Sequence, residues 1–346
     1  MAHSTANLQP DMASFDLDGT HYDIGVRIGR ASSPLVMPSW WPEPPPLDFA
    51  LACAQTIGAA HAPLLEELYG YADGQAIEYE TLLRVICRQR LGGPMRMPMV
   101  IPEQGGCTSV AWRTPEGRVM VGRNYDFHNV QRVRQRIRLH PDGARPSVGM
   151  RGSVPGGRYD GVNDAGLFVS LHVVLSDRVE APRPGLPFHL IPRILLETCA
   201  TREEALREIM IMPHLHSFNY LIADLEGFCC VECHHERVRI VYPEDDVLAV
   251  GNFYRHPDMA TLQKRRQQTV SRARVAYLES KAWQRKAENA WDALQRALRD
   301  HEVGVCGHSG GHTTLWSCIA DLSSKRIAYT SGAPCKDDYA PIPWPA

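Results

Sequence analysis

Gly105-Gly106-Cys107-Thr108-Ser109-Val110, answered after a turn by Gly122-Arg123-Asn124-Tyr125-Asp126-Phe127, is where this chain changes character. Upstream, residues 92–106 (GGPMRMPMVIPEQGG) break every period with three prolines and four glycines, and read as a loop that delivers Cys107. Downstream, Thr108 to Arg113 alternates, Thr114-Pro115-Glu116-Gly117 is a turn, and Arg118 to Arg123 returns as the second arm of a hairpin. A cysteine at the head of that hairpin presents its thiol at a sheet end, with Arg123 and Asp126 brought back beside it. The chemistry is coherent: a cation favours the thiolate, and a carboxylate can hold a nearby amine. A lone cysteine is by default a small buried hydrophobe, so the reading needs support from the rest of the chain.

On the N-terminal side the pattern is mainly helical. Phe15 to about Ser33 reads as a short strand or turn followed by a helix, entered through Gly19-Thr20-His21-Tyr22-Asp23-Ile24-Gly25. Residues 37–46 (MPSWWPEPPP) are too proline-rich for a helix and predict an extended loop whose Trp40 and Trp41 fold back on the core. Leu47 to Tyr69 and Glu78 to Leu91 carry apolar residues at helical spacing, with Gly70 to Gly74 as a stop and turn between them.

On the C-terminal side strands dominate. Further arms fall at Leu167–Val174, Asn219–Asp224, Cys229–Cys233 and Val238–Tyr242, and a last hairpin joins Thr313–Asp321 to Arg326–Thr330. Helices interrupt them. Phe188–Cys199 is followed by Thr201, which forms a capping box with Glu204, and Arg266 to Leu298 is a long, broken, amphipathic stretch. Hairpins interleaved with helix pairs predict α+β layers around antiparallel sheets, and no glycine-rich phosphate motif follows a strand.

Composition excludes other classes. The 346 residues are 44% hydrophobic and 22% charged, enough for a large core, and the net charge of −2 gives no electrostatic footprint for nucleic acid or an anionic membrane. No segment approaches the roughly 20 apolar residues of a spanning helix. Ten cysteines are spread without the density of a disulfide scaffold, and the opening residues lack the charged and apolar regions of a signal peptide. The expectation is a cytoplasmic protein with reduced thiols.

With these residues in place, the chain resembles the isopenicillin-N acyltransferase (acyl-coenzyme A:6-aminopenicillanic acid acyltransferase) family of N-terminal-nucleophile hydrolases. It is similar, more distantly, to choloylglycine hydrolases and acid ceramidase-like amidases. Carrying the resemblance are the phrase at 19–25, the helix end from Leu65-Glu66-Glu67 to Gly74, the Gly-Cys-Thr junction and Gly122-Arg123-Asn124-Tyr125-Asp126. Gly161-Val162-Asn163-Asp164-Ala165-Gly166-Leu167, Asn219 to Gly227 and Thr314-Leu315-Trp316-Ser317 extend it over nearly the whole length. It implies a four-layer αββα sandwich of antiparallel sheets. It also implies self-cleavage between Gly106 and Cys107, with residues 1–106 as a helical α chain and 107–346 as the catalytic β chain of one domain.

Residue by residue, the resemblance makes Cys107 the nucleophile, with its own freed α-amine as base. Arg123 and Asp126 match the pair that sets the thiol and amine, and Asn252 matches the side chain serving the oxyanion hole. Phe253-Tyr254 replaces the more usual His-Phe type follow-on there. Arg265 or Arg272 matches a further site arginine. An α-amine near pKa 8 suits a base at neutral pH, and an amide N–H aimed at an oxyanion is worth roughly 3–4 kcal/mol. Asn163, first a turn former, and Asn219, at a strand start, are candidate substrate contacts. The implied substrate is a small linear amide, cleaved or transferred through a thioester on Cys107. No metal, cofactor, nucleic acid or membrane is implied, and a higher oligomer is left open.

Two readings of other classes stand beside this one. An uncleaved, catalytically silent relative would bind a ligand and run as one full-length band. A zinc module would use Cys230, Cys233, His234 and His235, drawn from Cys229-Cys230-Val231-Glu232-Cys233-His234-His235. Strand alternation there, and the lack of a second C-x-x-C, favour core and surface residues instead. His308 and His312 lie in a glycine-rich loop without the helix of an H-E-x-x-H site.

Overall fold

In the computed structural model the described residues are 13–35, 44–88, 106–128, 134–152, 154–176, 183–263, 269–285, 287–308 and 312–346. Strand β1 (Ala13–Gly19) leads into α1 (His21–Ala31), whose N-cap Thr20 accepts the Asp23 N–H. Then come α2 (Leu47–His61), α3 (Pro63–Gln75) and α4 (Tyr79–Ile86). Strands β2 (Thr108–Arg113) and β3 (Val119–His128) form the expected hairpin. They are followed by β4 (Gln135–Pro141), β5 (Ser147–Arg151), β6 (Asp160–Asn163) and β7 (Phe168–Val173). Helices α5 (Leu190–Thr198) and α6 (Arg202–Ile211) precede β8 (Phe218–Asp224), β9 (Gly227–His234), β10 (Arg237–Val241) and β11 (Val247–Val250). Three helices, α7 (Pro257–Ala260), α8 (Thr269–Glu279) and α9 (Ala290–Leu298), lead to β12 (His312–Asp321), β13 (Arg326–Tyr329) and β14 (Ala340–Ile342).

The strands make two sheets. Eight are ordered β1-β4-β5-β6-β7-β8-β9-β10 and six β11-β2-β3-β12-β13-β14; every pairing is antiparallel except β1 with β4. Alternation along β2 sorts its side chains between two layers. Val110 and Trp112 join the cluster formed with Val275 and Leu278 of α8 and Leu294 and Leu298 of α9. Ser109 and Ala111 face the other way, and the Ser109 hydroxyl meets that of Ser170 in β7 at 3.2 Å. Helices α5 and α6 pack on the eight-stranded sheet, so the layer order is helix, sheet, sheet, helix. This is the αββα sandwich.

Helices α1 and α3 are joined to that frame by close packing and by charge. A Cβ on Gly25 would stand 2.1 Å from the Glu67 carbonyl oxygen, and one on Gly70 would stand 2.2 Å from that of Tyr22. Only glycine lets the two backbones approach so closely. Below this crossing, buried Arg193 of α5 binds Glu67 of α3 at 2.6 Å. Its neighbour Glu197 takes hydrogen bonds from His21 at 3.0 Å and His61 at 2.8 Å.

Three expectations change. The helix read from Leu47 to Tyr69 is two helices, restarted at Pro63, whose missing N–H suits the first turn. Gly70 to Gly74 does not stop it: α3 runs on to Gln75, because those glycines serve the contact with α1. Strands β4, β5, β6, β11 and β14 had no counterpart in the sequence reading. Trp40 and Trp41 lie outside the described residues. Among the described residues no helix is long and apolar enough to cross a membrane.

Candidate active site

Cys107 immediately precedes β2, and hairpin register sets Thr108 opposite Asn124 and Ser109 opposite Arg123. The thiol is buried, 3.9 Å from the Asp126 carbonyl oxygen. Burial pushes it up to about 11, with the Arg123 cation acting in the opposite direction. The residue before it has no room for a side chain: Gly106 has φ +150°, and a Cβ would meet Asn252 Oδ1 at 2.1 Å.

Two arginines flank the cysteine, one from each side of the six-stranded sheet. Arg123 points between the sheets, where its Nε lies 2.9 Å from Asp160 Oδ2 of β6. That carboxylate also accepts from Trp316 Nε1 at 2.8 Å and Tyr329 Oη at 2.9 Å. Tyr125 stacks on Trp316 with ring centroids 3.9 Å apart. His172 Nε2 lies 3.4 Å from Arg123 Nη1, and burial, then Arg123, holds this imidazole well below its usual range and therefore neutral.

The other arginine is Arg274 of α8. Its Nη1 donates to the Gly106 carbonyl oxygen at 2.6 Å and to Asp126 Oδ2 at 2.8 Å. Thr314 Oγ1 donates to Asp126 Oδ1 at 2.6 Å, placed there by the register shift between Thr314 and Trp316 on β12. Burial raises the Asp126 carboxyl above its ordinary value, while Arg274 and Thr314 oppose the rise. One guanidinium therefore spans the carbonyl just before Cys107 and the carboxylate just behind it.

Asn252 closes the third side. Its Nδ2 donates to the Val173 carbonyl at 2.8 Å, and its backbone N–H donates to Ser271 Oγ at 2.9 Å. Asn219, opposite His172 in the β7–β8 register, is engaged with backbone. Its Nδ2 donates to the carbonyls of Gly251 at 3.0 Å and Phe253 at 2.8 Å, and so holds the loop that carries Asn252. Asn163 is the turn former: its Nδ2 serves the carbonyls of Leu196 and Cys199, and its Oδ1 accepts the Leu167 N–H.

Of the two arginines read from the sequence, Arg265 lies outside the described residues and Arg272 lies over the Phe253 ring at 4.3 Å. The arginine holding Gly106 and Asp126 is Arg274, and helical period points to it: Ser271, Arg274, Val275 and Leu278 are the buried face of α8. Arg272 is two residues off that face. Asp160 and Thr314 were likewise missed as partners.

The four residues of the alternative zinc module do not converge. Cys230 and Cys233 are buried on opposite faces of β9, while His234 and His235 group with Glu236. His312 begins β12 beside the Phe127 ring, and His308 stands with Cys306 and Cys335.

The family model for acyl-coenzyme A:6-aminopenicillanic acid acyl-transferase matches residues 112–336. Among curated proteins the chain has no match. Solved structures similar to it include a Caenorhabditis elegans N-acylethanolamine-hydrolyzing acid amidase ortholog, at 14% identity and TM-score 0.48, covering 62% of this chain and 93% of that one. A mutant of conjugated bile acid hydrolase from Clostridium perfringens has 14% identity and TM-score 0.43, covering 69% and 97%. A second variant of that hydrolase has 13% identity and TM-score 0.44, covering 68% and 96%.

Proposed function

The chain belongs to the acyl-coenzyme A:6-aminopenicillanic acid acyl-transferase family, and on that premise we propose that it is a self-processing amidase or acyltransferase whose nucleophile is Cys107. The observation that carries this reading is the grip of Arg274 on the Gly106 carbonyl oxygen, with Asp126 as the guanidinium's counter-ion. A cation at a carbonyl oxygen stabilises the charge that develops when a nucleophile attacks it. Here the nearest nucleophile is the thiol of the next residue.

Processing is then an N-to-S shift. The Cys107 sulfur attacks the Gly106 carbonyl carbon, the C–N bond breaks, and the thiol proton passes to the departing amine. Water hydrolyses the resulting thioester to a Gly106 carboxylate, a free thiol and the α-amine of Cys107. This divides the chain into residues 1–106 and 107–346.

The same groups support turnover. The freed amine takes the thiol proton as sulfur attacks a substrate amide, then gives it to the leaving amine. Asn252 lies beside the position Gly106 occupies with its Oδ1 facing it and its Nδ2 on the Val173 carbonyl, so it would supply an N–H to the oxyanion once its amide turns. Arg274 is available to the substrate carbonyl once Gly106 has moved. The thioester on Cys107 passes to water or to an acceptor amine. We favour hydrolysis, because water needs no second binding site.

Intact-mass measurement of freshly purified protein tests the reading. Two associated chains beginning at Met1 and Cys107 are expected, and Cys107→Ala should remain whole and inactive. A screen of N-acyl amides and amino-acid conjugates, with trapping of the acyl-enzyme, identifies the acyl group. An uncut protein with full activity overturns the proposal, since it would have no α-amino base.

A further inference from the structure

Apart from that chemistry, the segment entering β12 and the one leaving β13 bring four metal-ligating side chains together. Cys306 Sγ lies 3.2 Å from His308 Nε2, which lies 3.1 Å from Cys335 Sγ. With His301 included, all four ligand atoms fall within 4.8 Å of one another. We propose that Cys306, His308, Cys335 and His301 form a structural site for one zinc ion.

The donor set fits that ion. Tetrahedral zinc binds sulfur at roughly 2.3 Å and imidazole nitrogen at about 2.0–2.1 Å, which places neighbouring donors about 3.3–3.8 Å apart. The sulfur–nitrogen separations here are within a few tenths of an ångström of that range. Two thiolates balance the charge of a divalent ion, and two sulfurs with two nitrogens make a closed structural set with no position left for substrate. Exposure argues against a merely packed cluster: Cys306 is buried, but His301, His308 and Cys335 are on the surface, where a hydrophobic role gives them nothing. The two segments already meet, since Arg299 Nε donates to the Pro334 carbonyl at 2.7 Å.

Position gives the site a purpose. Cys306 and His308 flank Gly307, which exchanges two hydrogen bonds of 3.0 Å with Thr314. A Cβ on Gly307 would lie 3.0 Å from Asp126 Oδ2 and 3.1 Å from Arg274 Nη2. Zinc would therefore fix the turn that backs Asp126, without touching the thiol of Cys107.

The test is metal content of the full chain purified under reducing conditions, by elemental analysis, together with a count of free thiols. About one zinc per chain is expected, and the cobalt-loaded protein should show a thiolate-to-metal charge-transfer band. Cys335→Ser and His308→Ala, both at exposed positions, should lose the zinc and the band while circular dichroism shows the fold kept. Cys107→Ala and Cys230→Ser should retain both, which separates this site from the nucleophile. Metal-free protein with all thiols reduced, a Cys306–Cys335 disulfide found by mass spectrometry, or zinc undiminished in Cys335→Ser each overturns the proposal.

Discussion

Replacing Arg274 by Met removes the donor to the Gly106 carbonyl and the counter-ion of Asp126 in one step. Loss of one such donor from a developing oxyanion costs about 10²–10³-fold in rate. Self-cleavage of Arg274→Met should slow by that factor, read from intact mass against time after synthesis; cleavage at the wild-type rate would remove Arg274 from the mechanism. The same variant, held uncut, exposes the chemistry of the thiol. With Cys107 pushed up to about 11, the thiolate is only about 10⁻⁴ of the total at pH 7. Alkylation of Cys107 in the uncut chain should therefore rise about tenfold per pH unit between pH 6 and 9. A plateau near neutrality would mean that the thiol is already ionised before cleavage.

At the scale of elements, the loop after β11 is a positioning device. Asn219 on β8 ties the carbonyls of Gly251 and Phe253, and Asn252 lies between them. Asn252→Ala should lower turnover by about 10²–10³-fold through loss of an oxyanion donor. Asn219→Ala should lower kcat by a smaller factor with KM nearly unchanged, because it displaces the donor without removing it. Equal losses in the two variants would instead place Asn219 itself on the substrate. The β2–β3 hairpin that presents Cys107 was legible because alternation, a turn and a return arm are local signals. Strand β6 was not. Asp160-Gly161-Val162-Asn163 is poor in strand formers, and only pairing with β5 and β7 holds it extended. The counter-ion of Arg123 was hidden with it. Arg274 was concealed differently, since a two-residue error on a helix moves a side chain to the opposite face.

At the scale of the whole molecule, cleavage before Cys107 would leave two chains sharing one fold, and their association has a definite chemistry. Strand β1 pairs with β4, and residues of α1 to α4 belong to the same core cluster as the sheet strands. The charged part is concentrated at Arg193 and Glu197 of α5, which meet Glu67, His21 and His61 from the other chain. Burial acts to raise the Glu197 carboxyl, but Arg193 and the two histidine hydrogen bonds outweigh it and hold that carboxyl well below its ordinary value. A depressed carboxyl contributes stability that is fully present above its unfolded value, about 4.5, and is lost as pH falls from there towards the folded value. The cleaved chains should therefore co-elute in size-exclusion chromatography at pH 7 and begin to separate or unfold below about pH 4.5. Glu197→Gln removes one of the two carboxylates on Arg193 and leaves it Glu67, so it should cost less than the roughly 3–5 kcal/mol of a fully unpaired buried charge and should flatten the acid dependence. Two outcomes count against this network as the tie: chains that separate at pH 7, or a Glu197→Gln protein with the stability and acid profile of the wild type.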